Sequence, residues 1–301
     1  MKNFKTICKM SQSELKAYLT KFLKTKYNEV ISKDGFIFAE GSFPVMLVAH
    51  MDTVHKELVK QIVYEDNGNI ISSPQGIGGD DRAGIAMIME IIKTYNCSVL
   101  FTEDEEIGCV GATKFVDALE HGDIDVPTVN YIIELDRMGK EDAVFYNCDN
   151  PNFEDFIFLD SKDWKFDYGS YTDIVEIAPV LGAAAVNFSC GYYNPHTTKE
   201  YVVLSEMTEN VEKVKRILAR TTDKDKFEYI ENLNDYYGYD FKWYDNYNNI
   251  VDAVYYITAQ KRAKFIEEEI YAVSEEEAIG KFLVYHPTLC MNDIVDLIRE
   301  E

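Results

Sequence analysis

The sequence predicts an α/β protein, a three-layer α/β/α sandwich around a mostly parallel, mixed sheet, with a small α+β appendage at its C-terminal end. Three observations carry that expectation. A run at 45–49 is hydrophobic throughout, as strands buried on both faces are, and 97–102 reads as another buried strand. Stretches with helical apolar spacing separate such runs, so strand and helix alternate, which favours parallel pairing through crossovers. Near Thr222 the character changes, and the 30 residues from Phe227 to Tyr256 carry eight tyrosines among acids and asparagines.

In chain order, residues 11–27 place Leu15, Tyr18, Leu19, Phe22 and Leu23 on one helical face, with Ser11 or Ser13 as cap. Strands follow at 35–39 and 45–49, the second ending in His50-Met-Asp-Thr-Val-His55. Asn67-Gly-Asn marks a hairpin turn. Gly76-Ile-Gly-Gly-Asp-Asp then leads into a helix over 83–93; by itself this is a turn and a helix cap. A strand at 97–102 ends in Glu103-Asp-Glu-Glu106, a helix covers 113–119, and a strand at 130–135 ends in Asp136-Arg137. Strand and helix patterns continue at 143–146, 153–159, 172–179 and 183–188, and a helix over 205–220 closes the series with Met207, Val211, Val214, Ile217 and Leu218. Beyond it, 262–273 reads as a strand pair or one long strand, and Ser274 caps a helix. The expected organisation is therefore a domain at 1–222 and an appendage at 223–301, the latter with eight basic against 18 acidic residues.

Bulk properties narrow the partners. A chain of 301 residues with 47% apolar content can build one large core or a core with a smaller neighbour. Its net charge of −23 argues against nucleic acid or an anionic membrane and makes a cation the more natural partner. No 18-residue apolar run spans a membrane, and the first residues are too polar for a signal peptide. Six scattered cysteines without a CxxC pair suggest reduced thiols and a cytoplasmic setting.

Five polar residues fall at strand ends or in the loops that follow: His50, Asp80, Glu106, Asp136 and His196. In open α/β sheets, ligands gather at these ends. Taken singly, each has an ordinary reading: a hydrogen-bonded histidine, or acids at a helix start. Together, two imidazoles and three carboxylates suffice for two zinc-like ions sharing one carboxylate, whereas the two histidines disfavour a structural calcium.

The motifs His50-Met-Asp-Thr-Val, Gly79-Asp-Asp-Arg-Ala-Gly and Thr102-Glu-Asp-Glu-Glu-Ile-Gly resemble those of the co-catalytic dizinc exopeptidases, the group of peptidase T, carboxypeptidase G and related aminopeptidases. The likeness runs in order over 35–220, with looser landmarks at 168–173 and 194–200. It implies that Asp80 bridges two metal ions, most naturally zinc, with cobalt or manganese as alternatives. His50 and Asp136 would complete one site, Glu106 and His196 the other. Glu105 would be the general base and Asp52 would orient His50 from behind. The bond between Asp80 and Asp81 would be cis. Peptides or acylated amino acids would be the substrates. Relatives with a lid insert it between the fourth and fifth donors, but here Asp136 and His196 are only 60 residues apart.

Substrate contacts stay open. Arg137 could hold a substrate carboxylate or pair with a nearby acid; Asp173 could receive a substrate amine. Aminopeptidase, carboxypeptidase and dipeptidase are not separable, and a catalytically silent relative binding a partner through its acidic tail is the alternative. His55, His121 and His286 fall outside the pattern and read as surface or loop residues; Cys109 and Cys148 read as packing residues.

Overall fold

The structure, a computed structural model, describes residues 3–160, 163–169, 171–231, 253–261, 264–272, 282 and 294–299. It divides into two compact units, Met1–Leu233 and Asn234–Glu301.

In the first unit, a short helix α1 (Phe4–Ile7) and α2 (Gln12–Leu23) precede β1 (Val30–Lys33), β2 (Phe36–Ala39) and β3 (Phe43–His50). Ser11 caps α2 in a reciprocal box with Glu14. The hairpin of β4 (Val63–Glu65) and β5 (Ile70–Ser72) turns at Asn67, followed by α3 (Gly79–Ile91) and β6 (Cys97–Thr102). Then come α4 (Val110–Glu120), β7 (Tyr131–Arg137), β8 (Asp142–Val144), α5 (Pro151–Ile157) and β9 (Lys165–Phe166). The unit ends with α6 (Asp173–Leu181), β10 (Ala185–Ser189), β11 (Tyr192–Tyr193), β12 (Tyr201–Val203) and α7 (Leu204–Arg220).

Eight strands form the main sheet in the order β1-β2-β6-β3-β7-β10-β8-β9. The four central strands β6, β3, β7 and β10 are mutually parallel, while β1, β2 and β8 join antiparallel, so the expected mixed, mostly parallel sheet is what the chain builds. Alternation along β3 shows why the sandwich has three layers. Val45, Leu47 and Ala49 join one core with side chains of α1, α2, α3 and α7, whereas Met46 and Val48 join another with Phe115 of α4 and Ile174 and Ile177 of α6. Each such buried side chain contributes about 1.5–3 kcal/mol.

From β3 the chain passes through α3 to β6 on one side, then returns through α4 to β7 on the other. The direction of winding thus reverses at β3, which opens a crevice at its carboxyl end. A four-stranded sheet, β11-β12-β5-β4, stands beside it. This second sheet is not apparent in the sequence, because two- and three-residue strands leave no periodicity to read.

Residues 227–231 lie on the first unit. Phe227 accepts from Ala184 N at 2.9 Å and donates to Asn130 O at 2.9 Å, and its ring packs against Tyr131, Phe153 and Phe156. The compact units therefore meet at 233/234, eleven residues beyond the boundary drawn from composition. In the second unit, β13 (Ala253–Lys261) pairs antiparallel with β14 (Lys264–Ala272) and with β15 (Ile294–Arg299), over a core of Tyr255, Ile257, Ile270 and Phe282. The helix expected from Ser274 lies outside the described residues except for Phe282, and so do most of the tyrosine-rich stretch, Cys290 and His286. Among the described residues, no helix is long and apolar enough to cross a membrane.

Candidate metal centre

All five candidate donors converge at the carboxyl ends of the parallel strands. His50 is the last residue of β3 and is buried. Its Nε2 lies 3.1 Å from Asp80 Oδ1 and 3.5 Å from Asp136 Oδ1. On the other side of Asp80, His196 Nε2 lies 3.2 Å from Oδ2 and 3.0 Å from Glu106 Oε2. The two oxygens of one carboxylate thus face two separate imidazole–carboxylate pairs. His196 is the most open member, its side chain 56% exposed, and marks the accessible side.

The loops hold these groups in place. Asp52 Oδ1 takes the His50 Nδ1 proton at 3.1 Å and Glu105 N–H at 3.1 Å; its Oδ2 takes Glu106 N–H at 3.1 Å. One carboxylate therefore orients the imidazole and fixes the backbone of both glutamates. Asp136 is held by Tyr192 Oη at 3.3 Å and Thr172 Oγ1 at 3.4 Å. The Asp80–Asp81 bond is cis, as the resemblance implies. Asp81 also stands close to His50 and Asp136, close enough to form a donor group with them. Both its oxygens are taken by backbone amides, from His50 at 3.2 Å and Gly84 at 3.0 Å, so we assign it to the turn and the helix start.

Electrostatics make this a cation site. Burial pushes Glu105 up to about 8, with the charge of His50 opposing and those of Asp136, Glu106 and Asp80 adding. Burial likewise raises Asp136 to about 7, against the pull of His50 and with the push of Asp80. His196 rises to about 10 through its contacts with Asp80 and Glu106. His50 is raised as well: burial opposes its charge, but Asp136, Asp52 and Asp80 outweigh it. Asp80 is lowered, because the two imidazoles overcome its burial. Buried acids such as Glu105 and Asp136 that resist ionising, with only imidazoles to neutralise them, are ones that divalent cations would satisfy.

The donors fit such ions. Tetrahedral zinc with bonds of about 2.0–2.1 Å sets donors roughly 3.3–3.4 Å apart, and the spacings here run from 3.0 to 3.5 Å. Glu106 Oε1 is buried without a hydrogen-bond partner, as a ligand oxygen awaiting a cation would be.

Other polar residues lie around the centre. Arg137 Nη2 donates to Asp167 Oδ2 at 2.7 Å and to Tyr168 O at 3.2 Å, the structural alternative of the two the sequence left open. Asp173 is fully buried and accepts from Thr102 Oγ1, so it does not stand where a substrate amine would meet it. A carboxylate opening a helix after an exposed tyrosine looks accessible in sequence; the packing of α6 on β3 and β7 hides it. Cys109 donates its thiol to Glu105 Oε1 at 3.6 Å and so does more than pack. Glu134, buried on β7, accepts from Thr172 Oγ1 at 2.9 Å beneath the site and escaped notice inside an apolar run. His55 lies in a loop, as expected, but its side chain is only 9% exposed and pairs with the buried Glu200. His121 is exposed, as expected.

Residues 39–167, the segment holding four of the five donors and Glu105, match the profile of Peptidase family M28. Solved structures share the fold. The PepT aminopeptidase of Bacillus cereus aligns with a TM-score of 0.56 at 16% identity, over 72% of this chain and 96% of its own. A Staphylococcus aureus tripeptidase gives 0.56 at 14%, over 73% and 98%. The TET aminopeptidase of a marine-sediment thaumarchaeon gives 0.58 at 13%, over 75% and 98%. No curated protein matches by sequence. The expected kinship with the dizinc exopeptidases is borne out: residues 39–167 match peptidase family M28, the fold is the zinc-peptidase fold, and the donor cluster could hold metal, which together support metal-dependent peptide hydrolysis.

Proposed function

We propose that this protein is an aminopeptidase that removes residues from short peptides, with two zinc-like ions shared by His50, Asp80, Glu106, Asp136 and His196. The observation that carries the reading is the division of Asp80, one oxygen toward His50 and Asp136, the other toward His196 and Glu106. When bound, the ions supply Lewis acidity and lower the pKa of a water. Glu105 takes the proton of the attacking water and returns it to the departing amine. Burial and neighbouring acids raise its pKa to about 8 in the metal-free protein; the two cations would lower it and leave an ionised carboxylate ready to accept that proton. Cys109 and Asp52 hold Glu105 by side chain and backbone.

The amino-terminal preference rests on charge. The cluster is rich in carboxylates, and Arg137, the guanidinium that follows Asp136, is engaged by Asp167. The ions would take up the charges of the donors; what remains for a substrate terminus is an acid such as Glu105 and no free Arg137 fork, which favours an α-ammonium over a carboxylate. Similar solved structures include a PepT aminopeptidase and a TET aminopeptidase, which supports the same choice. The silent-binder alternative is not favoured, since the donors and the base converge. Five described cysteines are free and buried, in keeping with a reducing, cytoplasmic setting.

The test is a panel of dipeptides and tripeptides with free or acetylated amino termini, supplied with Zn²⁺, Co²⁺ or Mn²⁺. Free amino termini are expected to be cleaved and acetylated ones spared. Glu105→Gln should keep its metal and lose about 10²–10⁴-fold in kcat. Wild-type turnover in that variant would remove Glu105 from the mechanism.

A further inference from the structure

The loop that carries His196 also carries a fully buried carboxylate, Glu200, four residues on. Its oxygens collect three donors. Oε2 accepts from Gly78 N–H at 2.8 Å and from His55 Nε2 at 2.8 Å; Oε1 accepts from Asp80 N–H at 2.9 Å. The two amides flank Gly79 and end at the residue whose carboxylate faces both imidazole pairs. His55 lies three residues beyond Asp52, on the loop that leaves His50. One hydrogen-bonded pair thus ties together the loops after β3, before α3 and after β11, each of which bears or adjoins a metal donor.

His55 requires one glycine of this turn, Gly76, and Glu200 adds to the side chains that close in on another, Gly79. A Cβ on Gly79 would stand 3.1 Å from Glu200 Oε1, 2.6 Å from Val202 Cγ2 and 2.8 Å from Tyr192 Cβ. A Cβ on Gly76, where φ is +86°, would stand within 2.2 Å of the His55 ring. The turn is therefore stripped of side chains where Glu200 and His55 press against it.

We propose that Glu200 and His55 are positioning residues for the metal centre: the pair holds the Gly78–Asp80 backbone so that the Asp80 carboxylate divides between the two cation sites. The inference rests on the dimetal reading above. Glu200 lies too deep to be a ligand itself, because its oxygens are filled by amides and imidazole. Removing His55 frees one acceptor and unties the loop after His50; converting Glu200 to an amide sets an NH₂ group against N–H donors of the turn. Either change shifts Asp80 relative to His196 and Glu106 without touching a donor atom.

The experiment is Co²⁺ titration of the whole chain, read by the visible absorption of the bound ions and by calorimetry, for wild type, His55→Ala, His55→Gln, Glu200→Gln and Asp80→Ala. We expect His55→Ala and Glu200→Gln to bind about 10–100-fold more weakly with an altered spectrum, while Asp80→Ala loses paired binding. His55→Gln, which keeps a donor toward Glu200, should recover most of the affinity. Melting of the metal-free variants separates loss of positioning from loss of fold, and His55→Ala carries the test if Glu200→Gln does not fold. Wild-type affinity and spectrum in folded His55→Ala or Glu200→Gln, with Asp80→Ala defective, would overturn this inference alone. If Asp80→Ala itself bound two ions like the wild type, the dimetal reading would fall instead.

Discussion

Asp52→Ala offers the most direct measure of how the loops organise the centre. The substitution removes the acceptor of His50 Nδ1 and of two backbone amides, those of Glu105 and Glu106, all at 3.1 Å. The amides sit in a partly exposed loop and can turn to water, so most of the loss falls on the imidazole. A hydrogen bond to a charged acceptor contributes about 1.5–3 kcal/mol. Removing the partner of a ligating histidine lowers metal affinity about 10–100-fold, which is roughly 1.4–2.7 kcal/mol. The two routes agree, so Asp52→Ala should weaken Zn²⁺ binding by one to two orders of magnitude. Asp52→Asn, which keeps one acceptor oxygen, should lose less. Competition against a chelator of known affinity at pH 7.5 measures both, with metal-free melting as the control for folding. An Asp52→Ala protein that melts normally and binds Zn²⁺ within about threefold of wild type would refute the orienting role.

Three further outcomes follow from the same geometry. In the metal-free protein Glu105 and Asp136 ionise near 8 and 7, against about 4 in an unfolded chain. Their folded pKa values are raised, so the stability they contribute is full below about pH 4 and is lost as pH rises through 7 and 8. His196, raised to about 10, acts in the same direction at higher pH. The metal-free Tm should therefore fall between pH 5 and 8.5 and Zn²⁺ should restore most of it; a flat or rising metal-free profile would contradict this. Ending the chain at residue 233 should leave metal binding intact by calorimetry. Ending it at 222 removes the partly buried Phe227 from its aromatic cluster with Tyr131 and Phe153, a loss of about 1.5–3 kcal/mol, and should lower Tm by roughly 3 °C or more. Equal melting of the two truncates would show that 223–233 adds nothing.

Much of the centre was legible in one dimension because each donor terminates, or closely follows, a local element with its own signal. His50 and Asp136 close apolar runs, Glu105 and Glu106 follow a third, and Asp80 sits after glycines. What those residues bind besides a metal was not legible. Arg137 and Asp167 are 30 residues apart, His55 and Glu200 145, and no local pattern marks either pair. Asp173 looked accessible and is sealed under Thr102, because whether a helix start faces solvent depends on what packs over it.

By itself the sequence pointed to the α/β alternation and to five candidate donors, since hydrophobic periodicity and strand-end chemistry are properties of neighbours along the chain; the base came only from the resemblance. Only the tertiary structure decided the strand order β6-β3-β7-β10, which brings four strand ends to one crevice. It alone divided the oxygens of Asp80 between two imidazoles, and it alone seated Glu200 behind the turn. The physical reason is the same in each case. A buried charge takes the partners that packing leaves within hydrogen-bond reach, and packing joins residues that the chain keeps far apart.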